Sequence, residues 1–277
     1  MADSLKNALR NLNLVVGALM VVSVVALALF ADAIAPYGFD EAHLDATYEA
    51  PNATYIFGTD DFGRDLFSRI VYGSRITLKV ALIAVVIQSV LGVVAGLVGG
   101  YYGGRIDAGI SFVTDITWAM PPLITALAVI TVLGKGLNNI IASQALVCWA
   151  QYARIVRAKT QAIKNMPFIE TGIAFGETSL AIMLRYILPN ILPSIIVIAT
   201  ISIPKTIMST TSLGFLGMGS QPPSPDWGVM LSMSIKHLSK APWMAIYPGL
   251  ALVYTVLGFS LVGEGLRDLL DPRMKAQ

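Results

Sequence analysis

Six long stretches with few or no charged residues limit what this chain can fold into. The first, Leu12–Ala31, and the second, Val80–Tyr102, contain no Asp, Glu, Lys or Arg. A helix of about 20 such residues crosses the hydrocarbon core of a bilayer, where the backbone must satisfy its own hydrogen bonds. The other stretches are Ile110–Leu133, Asn138–Ala153, Tyr186–Pro204 and Trp243–Gly263. The sequence therefore predicts an all-α integral membrane protein with six transmembrane helices.

The composition agrees with a membrane protein and argues against several other classes. Of the 277 residues, 55% are hydrophobic and 13% are charged, whereas soluble domains contain about 25% charged residues. The net charge of +2 and the lack of a run of basic residues argue against nucleic-acid binding. A single cysteine, Cys148, excludes an intrachain disulfide. The two histidines, His43 and His237, are far apart in the sequence, and we expect neither a metal site nor a bound cofactor.

The first apolar stretch has some features of a secretory signal, because Lys6 and Arg10 precede it. The apolar core of a signal peptide is usually about 7–15 residues long. Leu12–Ala31 exceeds that length. We therefore expect an uncleaved transmembrane helix over residues 1–31.

Basic residues predict the orientation, because Lys and Arg are enriched in cytoplasmic loops. If the N-terminus is cytoplasmic, six spans return the C-terminus to the same side. The basic residues from Arg154 to Arg185 are then cytoplasmic, and Lys205, which follows the fifth span, lies in an external loop. The reverse orientation would place the basic cluster outside.

The segment between the fourth and fifth spans has the features of a short helix. Pro167 suits the first helical turn, and a carboxylate at Glu170 complements the positive end of the helix dipole. Gly172 and Gly176 are four residues apart, which predicts that they share one helix face. Because each glycine costs about 1 kcal/mol relative to alanine inside a helix, the pair suggests a backbone that another surface approaches closely.

This segment resembles the EAA loop of ABC importer permeases. The pattern is matched by Glu170-Thr171-Gly172, then Gly176, then Ile187-Leu188-Pro189, with Thr171 and Gly172 replacing the usual alanines. In that family the loop is a coupling helix that sits in a cleft of the ATP-binding subunit. The resemblance assigns this role to Pro167, Phe168, Glu170, Thr171, Gly172, Phe175, Gly176 and Glu177.

Further motifs narrow the resemblance to the dipeptide, oligopeptide and nickel branch of these permeases. They are Phe57–Asp65 with Ser68-Arg69 and Tyr72–Arg75, Leu213–Gly219 with Gln221-Pro222-Pro223 and Asp226-Trp227-Gly228, and Gly263–Asp268 with Leu270–Arg273. They occur in the family's order, and the short chain is similar to the smaller of the branch's two permeases. Within the first motif, Asp60, Arg64 and Asp65 are expected to hold one another by hydrogen bonds.

The resemblance implies a type I ABC importer permease fold in three parts. These are an N-terminal transmembrane helix over 1–31, an external elbow segment over 32–76, and a permease core over 77–277 whose coupling loop covers 159–190. The implied partners are a second homologous permease, two ATP-binding subunits and an external solute-binding protein, all at a bacterial or archaeal plasma membrane. The chain has no G-x-x-x-x-G-K-[ST] motif, so ATP and magnesium are expected on the partner subunits and the chain is expected not to be an enzyme.

Prolines in and beside the fifth span predict a bent helix that lines the pore, because proline removes a helix hydrogen bond. Asp115, in the third span, is open to two interpretations: a pore-facing polar site or an ion-pair partner of Arg105 or Arg154. The predicted pore-lining residues are Asp115, Thr200, Pro204, Thr210, Thr211 and Ser212.

The sequence does not decide which cargo the permease transports. The branch predicts import of dipeptides or oligopeptides by alternating access, with nickel or a metal chelate as the alternative. Peptide permeases of the branch often carry a carboxylate where Thr210-Thr211-Ser212 stand here, which favours an unusual cargo. A stand-alone secondary transporter is a different possibility, although Asp115 is its one candidate ion relay. A membrane hydrolase is disfavoured because no catalytic set is recognisable.

Overall fold

The computed structural model describes residues 11–270, and within that range the regular structure is helical. Leu12, Leu66 and Trp243 begin long helices that start directly after loops or turns. The helices are α1 (Leu12–Leu29), α2 (Ala31–Ile34), α3 (Leu66–Tyr102), α4 (Gly104–Ala119), α5 (Pro122–Leu133), α6 (Leu137–Ile163), α7 (Pro167–Ala174), α8 (Ser179–Ala181), α9 (Leu188–Phe215), α10 (Trp227–Ser234) and α11 (Trp243–Leu270). A π turn, Ile182–Ile187, joins α8 to α9, and 3-10 turns lie at Leu44–Ala46 and Ile235–His237. The expectation of an all-α membrane protein is therefore confirmed for the described residues.

Within residues 11–270, four helical segments are long and apolar enough to cross a membrane: α1, α3, the continuous segment Ser179–Phe215, and α11. The pair α4 and α5 makes a fifth if it counts as one span, but the two helices meet at 95°. The prediction that Ile110–Leu133 forms a single helix is therefore wrong. The cause is Pro121-Pro122, because a residue before proline avoids the helical conformation and Met120 is extended.

The predicted fourth span, Asn138–Ala153, lies in α6 but does not meet the same criteria of length and apolar character. The second half of α6 carries Arg154, Arg157 and Lys159, and Gln144 lies in the first half. Most of the buried surface of α6 faces α3, so this helix is covered by protein along much of its length.

Two helices are longer than predicted. α3 begins at Leu66, where Asp65 Oδ2 accepts a hydrogen bond of 2.8 Å from the Ser68 amide, so residues 76 and 77 lie inside the helix.

α9 continues through Pro204 to Phe215. The prediction that Lys205 lies in an external loop is therefore wrong, since Lys205 is part of α9. A buried proline that is covered by neighbouring helices can stay within a helix.

A row of glycines lets α3 and α6 pack backbone to backbone. A Cβ on Gly96 would lie 2.7 Å from the Ala153 carbonyl oxygen, and a Cβ on Gly100 would lie 2.6 Å from Thr160 Cβ. Gly92 touches the backbone of α6 in the same way. Small residues four apart allow this approach between membrane helices, which have no hydrophobic driving force for association in lipid.

The helices give the bundle two distinct ends. At the α7 end, Tyr102 and Ile163 finish α3 and α6, and the Lys164 ammonium group comes near Gly103. Leu14 packs against Gly265, so the start of α1 and the last turns of α11 lie together. At the opposite, elbow end are α10 and the elbow loop, which we define as residues 35–65.

Arg69 of α3 holds the elbow loop to the bundle, and an ion pair stabilises the loop internally. Arg64 Nε donates to Asp60 Oδ2 at 2.7 Å, as expected from the motif, whereas Asp65 caps α3 instead of joining that pair. Arg69 Nη1 donates to the Phe39 carbonyl oxygen at 2.7 Å and to the Pro223 carbonyl oxygen at 3.2 Å. Arg69 thus links α3 to the elbow loop and to the segment after α9.

The glycine seam generates a stability prediction. The Gly96→Ala substitution should lower the melting temperature of the detergent-purified protein by roughly 5 °C or more, because overpacking costs about 1–3 kcal/mol. The matched control is Gly109→Ala on α4, where an added Cβ meets nothing within 4 Å. Both substitutions gain the same helix propensity, so equal melting temperatures would contradict the close packing.

Candidate functional site

The predicted coupling loop forms helix α7 and is fixed to the bundle by one side. Pro167 occupies the first turn, and the Thr171 hydroxyl donates to its carbonyl oxygen at 2.9 Å. Ile169 has 0% of its surface exposed and packs with Val156 and Ile187. Movement of α7 would therefore be transmitted to α6 and to the π turn that leads into α9.

α7 ends earlier than its glycine spacing suggests. Gly176 lies beyond the helix with φ of +79°, and its amide donates to the Ile173 carbonyl oxygen at 2.9 Å. The Glu177 amide donates to the Gly172 carbonyl oxygen at 3.1 Å, which completes a Schellman cap. The prediction that Gly172 and Gly176 share one helix face is therefore wrong. Gly172 is buried against the Tyr186 ring, and Gly176 supplies the left-handed conformation.

The outer side of α7 exposes large apolar residues. Phe175 is 85% exposed, and Phe168 and Ile173 are also exposed. Glu170 and Thr171 lie among them and are exposed as well. Glu177 is partly buried and its carboxylate lies 3.7 Å from Arg185 Nη1. Of the residues predicted to couple, Gly172 is buried and Glu177 is partly buried, and the others are exposed.

A groove of about 700 Å³ runs between α5, α9 and α11. Two of the predicted pore-lining residues, Pro204 and Ser212, line it. On the same face of α9 are Lys205, Met208 and Ser209, which the sequence analysis did not select. The helical spacing from Pro204 to Ser212 could have identified them, because residues 201, 205, 208 and 212 fall on one side of a helix.

The other predicted pore-lining residues lie elsewhere. Thr210 and Thr211 are buried on the side of α9 that faces α3, close to Asp226. Thr200 is partly exposed, and its hydroxyl donates to the Ile196 carbonyl oxygen at 2.9 Å. None of these three residues lines the groove.

Asp115 pairs with a basic residue of α6. Its Oδ1 lies 2.9 Å from Arg154 Nη2, and both side chains are about half exposed, at 61% and 49%. The Arg154 guanidinium also lies over the Trp118 ring. Asp115 therefore forms one of the two ion pairs that the sequence predicts as alternatives to a pore-facing role. It does not line the groove between α5, α9 and α11.

Polar side chains fix α9 to its neighbours within the bundle. Gln144 Nε2 donates to the Ser209 hydroxyl at 2.6 Å, and Gln88 Nε2 donates to the Thr206 hydroxyl at 3.3 Å. Hydrogen bonds of this kind between membrane helices contribute about 0.6–2 kcal/mol each. They orient α9 so that Lys205 and Ser212 face the groove.

Asp226 fixes the start of α10 behind the groove. Its Oδ1 accepts from the Gly228 amide at 2.8 Å, and its Oδ2 accepts from the Ser220 hydroxyl at 3.3 Å. Burial raises the pKa of the Asp226 carboxyl, and these hydrogen bonds oppose the increase. Because Asp226 is committed to capping α10, its role is structural.

Comparison with known proteins identifies the family. Residues 88–276 match the family described as the binding-protein-dependent transport system inner membrane component. The chain is 39% identical to the dipeptide transport system permease protein DppC of Alkalihalophilus pseudofirmus over 274 residues, which cover 99% of this chain and 90% of that protein. It is 41% identical to the glutathione transport system permease protein GsiD of Escherichia coli over 262 residues, which cover 93% and 86%.

The chain belongs to the binding-protein-dependent transport permeases.

Family membership confirms several expectations. The permease is a multi-pass component of an inner membrane and is a transport subunit of the ABC importer class, not an enzyme. The matched region begins in α3 and includes α7 and the groove. Transport that depends on a binding protein also means that the permease works with other subunits.

The two ion pairs between α4 and α6 generate a prediction. Asp107 pairs with Arg157 and is 14% exposed, whereas Asp115 is 61% exposed. Asp115→Asn should change the free energy of unfolding by less than about 1 kcal/mol, because exposed ion pairs contribute little. Asp107→Asn should cost more, about 1–3 kcal/mol, since it weakens a more buried charged contact. Thermal unfolding of both variants measures the difference.

Transport by the Asp115→Asn permease decides between the two interpretations of that residue. Slower uptake by a variant with unchanged stability would support the predicted pore role. Normal assembly and transport would leave Asp115 with the ion-pair role alone. If Asp115→Asn proved less stable than Asp107→Asn, the assigned difference in burial would be contradicted.

Proposed function

We propose that this permease is one of two pore-forming subunits of an ATP-driven importer that moves small peptides by alternating access. The observation that carries the proposal is α7, a helix anchored by Ile169 that exposes Phe168, Ile173 and Phe175. Exposed apolar residues on a short rigid helix are suited to bind a cleft in another protein. The ATP-binding subunit is the partner that the family resemblance implies.

We propose that the chain crosses the membrane six times, as the type I permease fold requires. The crossings would be α1, α3, the bent pair α4 and α5, α6, the continuous α8–α9 segment, and α11. The crossing by α6 is supported by its packing along α3, because Gly92, Gly96 and Gly100 meet successive turns of α6 and the two helices run in the same direction. The bend between α4 and α5 would be shielded from lipid by a second permease, because an interrupted backbone at membrane depth is tolerated where protein or water surrounds it.

We infer that the α7 end faces the cytoplasm. Arg157, Lys159 and Lys164 lie near this end, which is consistent with the enrichment of basic residues in cytoplasmic segments. The start of α1 and the end of α11 lie at the same end, so both termini would be cytoplasmic. The elbow loop and α10 would then be external, where a solute-binding protein delivers cargo.

The transport cycle follows from these contacts. Closure of two ATP-binding subunits would displace α7, and the buried contacts of Ile169 would carry the displacement into α6 and the segment leading to α9. The helices that line the groove would open toward one side of the membrane while they close toward the other. This is a shift between two arrangements of the helix bundle. Asp115, Thr200, Pro204, Thr210, Thr211 and Ser212 remain the predicted pore residues, and Pro204 and Ser212 have the strongest support.

A peptide cargo is supported by the relatives, which are a dipeptide permease and a glutathione permease. Both names describe small peptides that contain free carboxylates. The alternative of nickel or a metal chelate is not favoured by these relatives. Among the residues that the structure describes, no group of three potential metal ligands is close enough to hold an ion.

The Schellman cap of α7 provides a test of the coupling role. Gly176→Val should strain the left-handed position by about 1–2 kcal/mol and displace Phe175, because an L-residue with a Cβ disfavours this conformation. We expect ATP-binding subunits to co-purify poorly with the variant and uptake of radiolabelled Ala-Ala to fall. Co-purification and uptake measured on the same membranes give both results.

The control is Gly217→Val at the other end of the bundle. Gly217 has φ of +78°, nothing within 4 Å of an added Cβ, and the same pair of cap hydrogen bonds after α9. It carries the same strain but is distant from α7, so the ATP-binding subunits should remain bound. Normal coupling in Gly176→Val would count against α7 as the contact with the motor.

A further inference from the structure

Lys205 is a cation within an apolar helix, ten residues before its end. It belongs to the continuous segment Ser179–Phe215, which is apolar enough to cross a membrane, and about 15 Å of helix separates it from the end of α9. Its side chain is exposed and lines the groove beside Pro204 and Ser209. Since a lysine within a membrane helix is costly, it is expected to face water or an opposite charge.

Among the residues that the structure describes, no carboxylate lies close enough to Lys205 to form an ion pair with it. α9 and α5 contain no Asp or Glu. Glu264 and Arg267 of α11 also line the groove, so with Lys205 its lining carries two positive charges and one negative charge.

The surroundings of Lys205 are suited to an anion that is also hydrogen-bonded. Ser209 and Ser260 line the same groove. The Ser209 hydroxyl accepts from Gln144 and keeps its own proton, whereas the Ser212 hydroxyl donates to a backbone carbonyl oxygen of α9. Hydroxyls can donate to a carboxylate while the ammonium group supplies the charge. The groove therefore combines one unpaired lysine, two hydroxyl donors and a volume of about 700 Å³.

We propose that Lys205 is a specificity-determining residue that binds the side-chain carboxylate of an acidic peptide in the groove, so that the importer favours peptides with an acidic side chain over neutral and basic ones. This inference rests on the proposed function as a peptide permease. The ammonium group attracts acidic peptides and repels those with an extra positive charge. A competing assignment is an ion pair between Lys205 and the second permease, which would serve assembly.

The test compares three labelled dipeptides of similar size: Ala-Glu, Ala-Gln and Ala-Lys. The complete importer is reconstituted in liposomes with its binding protein, and each peptide is supplied at a concentration that saturates the binding protein. In Lys205→Gln, uptake of Ala-Glu relative to Ala-Gln should fall roughly tenfold, which corresponds to the loss of one charged hydrogen bond. Lys205→Arg should retain much of the preference, and Lys205→Glu should reverse it toward Ala-Lys.

Lys79→Gln is the matched control, because Lys79 is an exposed lysine on α3 that does not line the groove. Its uptake ratios should equal those of the native permease. An equal loss of uptake for all three peptides in Lys205→Gln, or loss of the second permease on co-purification, would overturn the inference in favour of an assembly role. Unchanged ratios in Lys205→Gln would also overturn it.

The same experiment separates this inference from the proposed function. A native importer that transports at least one of the peptides supports the permease assignment even if the Lys205 variants keep its preferences. A native importer that hydrolyses ATP but transports none of the three would overturn both the peptide proposal and the role of Lys205.

Discussion

The close packing of α3 against α6 is the constraint on which the other parts depend. Gly96 and Gly100 let the two backbones touch, and this contact positions Val156, which belongs to the same buried apolar cluster as Ile169 of α7. A rigid seam of this kind transmits displacement, because packed interiors have few voids to absorb it. Larger side chains in place of the glycines would separate α3 from α6 and weaken the buried contacts that hold α7 to the bundle.

Much of the fold could be predicted from apolar length and proline position, and the errors have physical causes. The helices α1, α3, α9 and α11 follow from uncharged stretches, but their ends do not, because Asp65 caps α3 well before the apolar run begins. The sequence predicts an external loop at Lys205 because a charged residue usually marks the end of a span, and this prediction is wrong. Inside a protein groove, a charged residue is compatible with a continuous helix.

The sequence predicts some features of the α7 segment and of the groove, and tertiary contacts determine the others. The coupling segment was recognised from its order of residues, whereas the end of α7 depends on the left-handed conformation of Gly176, which spacing does not reveal. Of the predicted pore residues, Pro204 and Ser212 line the groove, whereas Thr210 and Thr211 face α3. Which side of α9 faces the groove is determined by hydrogen bonds to Gln88 and Gln144 on other helices, so it follows from tertiary contacts.

The most direct measurement of the account is site-specific photo-crosslinking in the assembled importer. A photoreactive side chain at position 175, where Phe175 is 85% exposed, should form an adduct with an ATP-binding subunit. The same group at position 44 in the elbow loop, where Leu44 is 72% exposed, should form none with that subunit. An adduct with the ATP-binding subunit from position 44 but not from position 175 would contradict the central claim that α7 receives force from the motor.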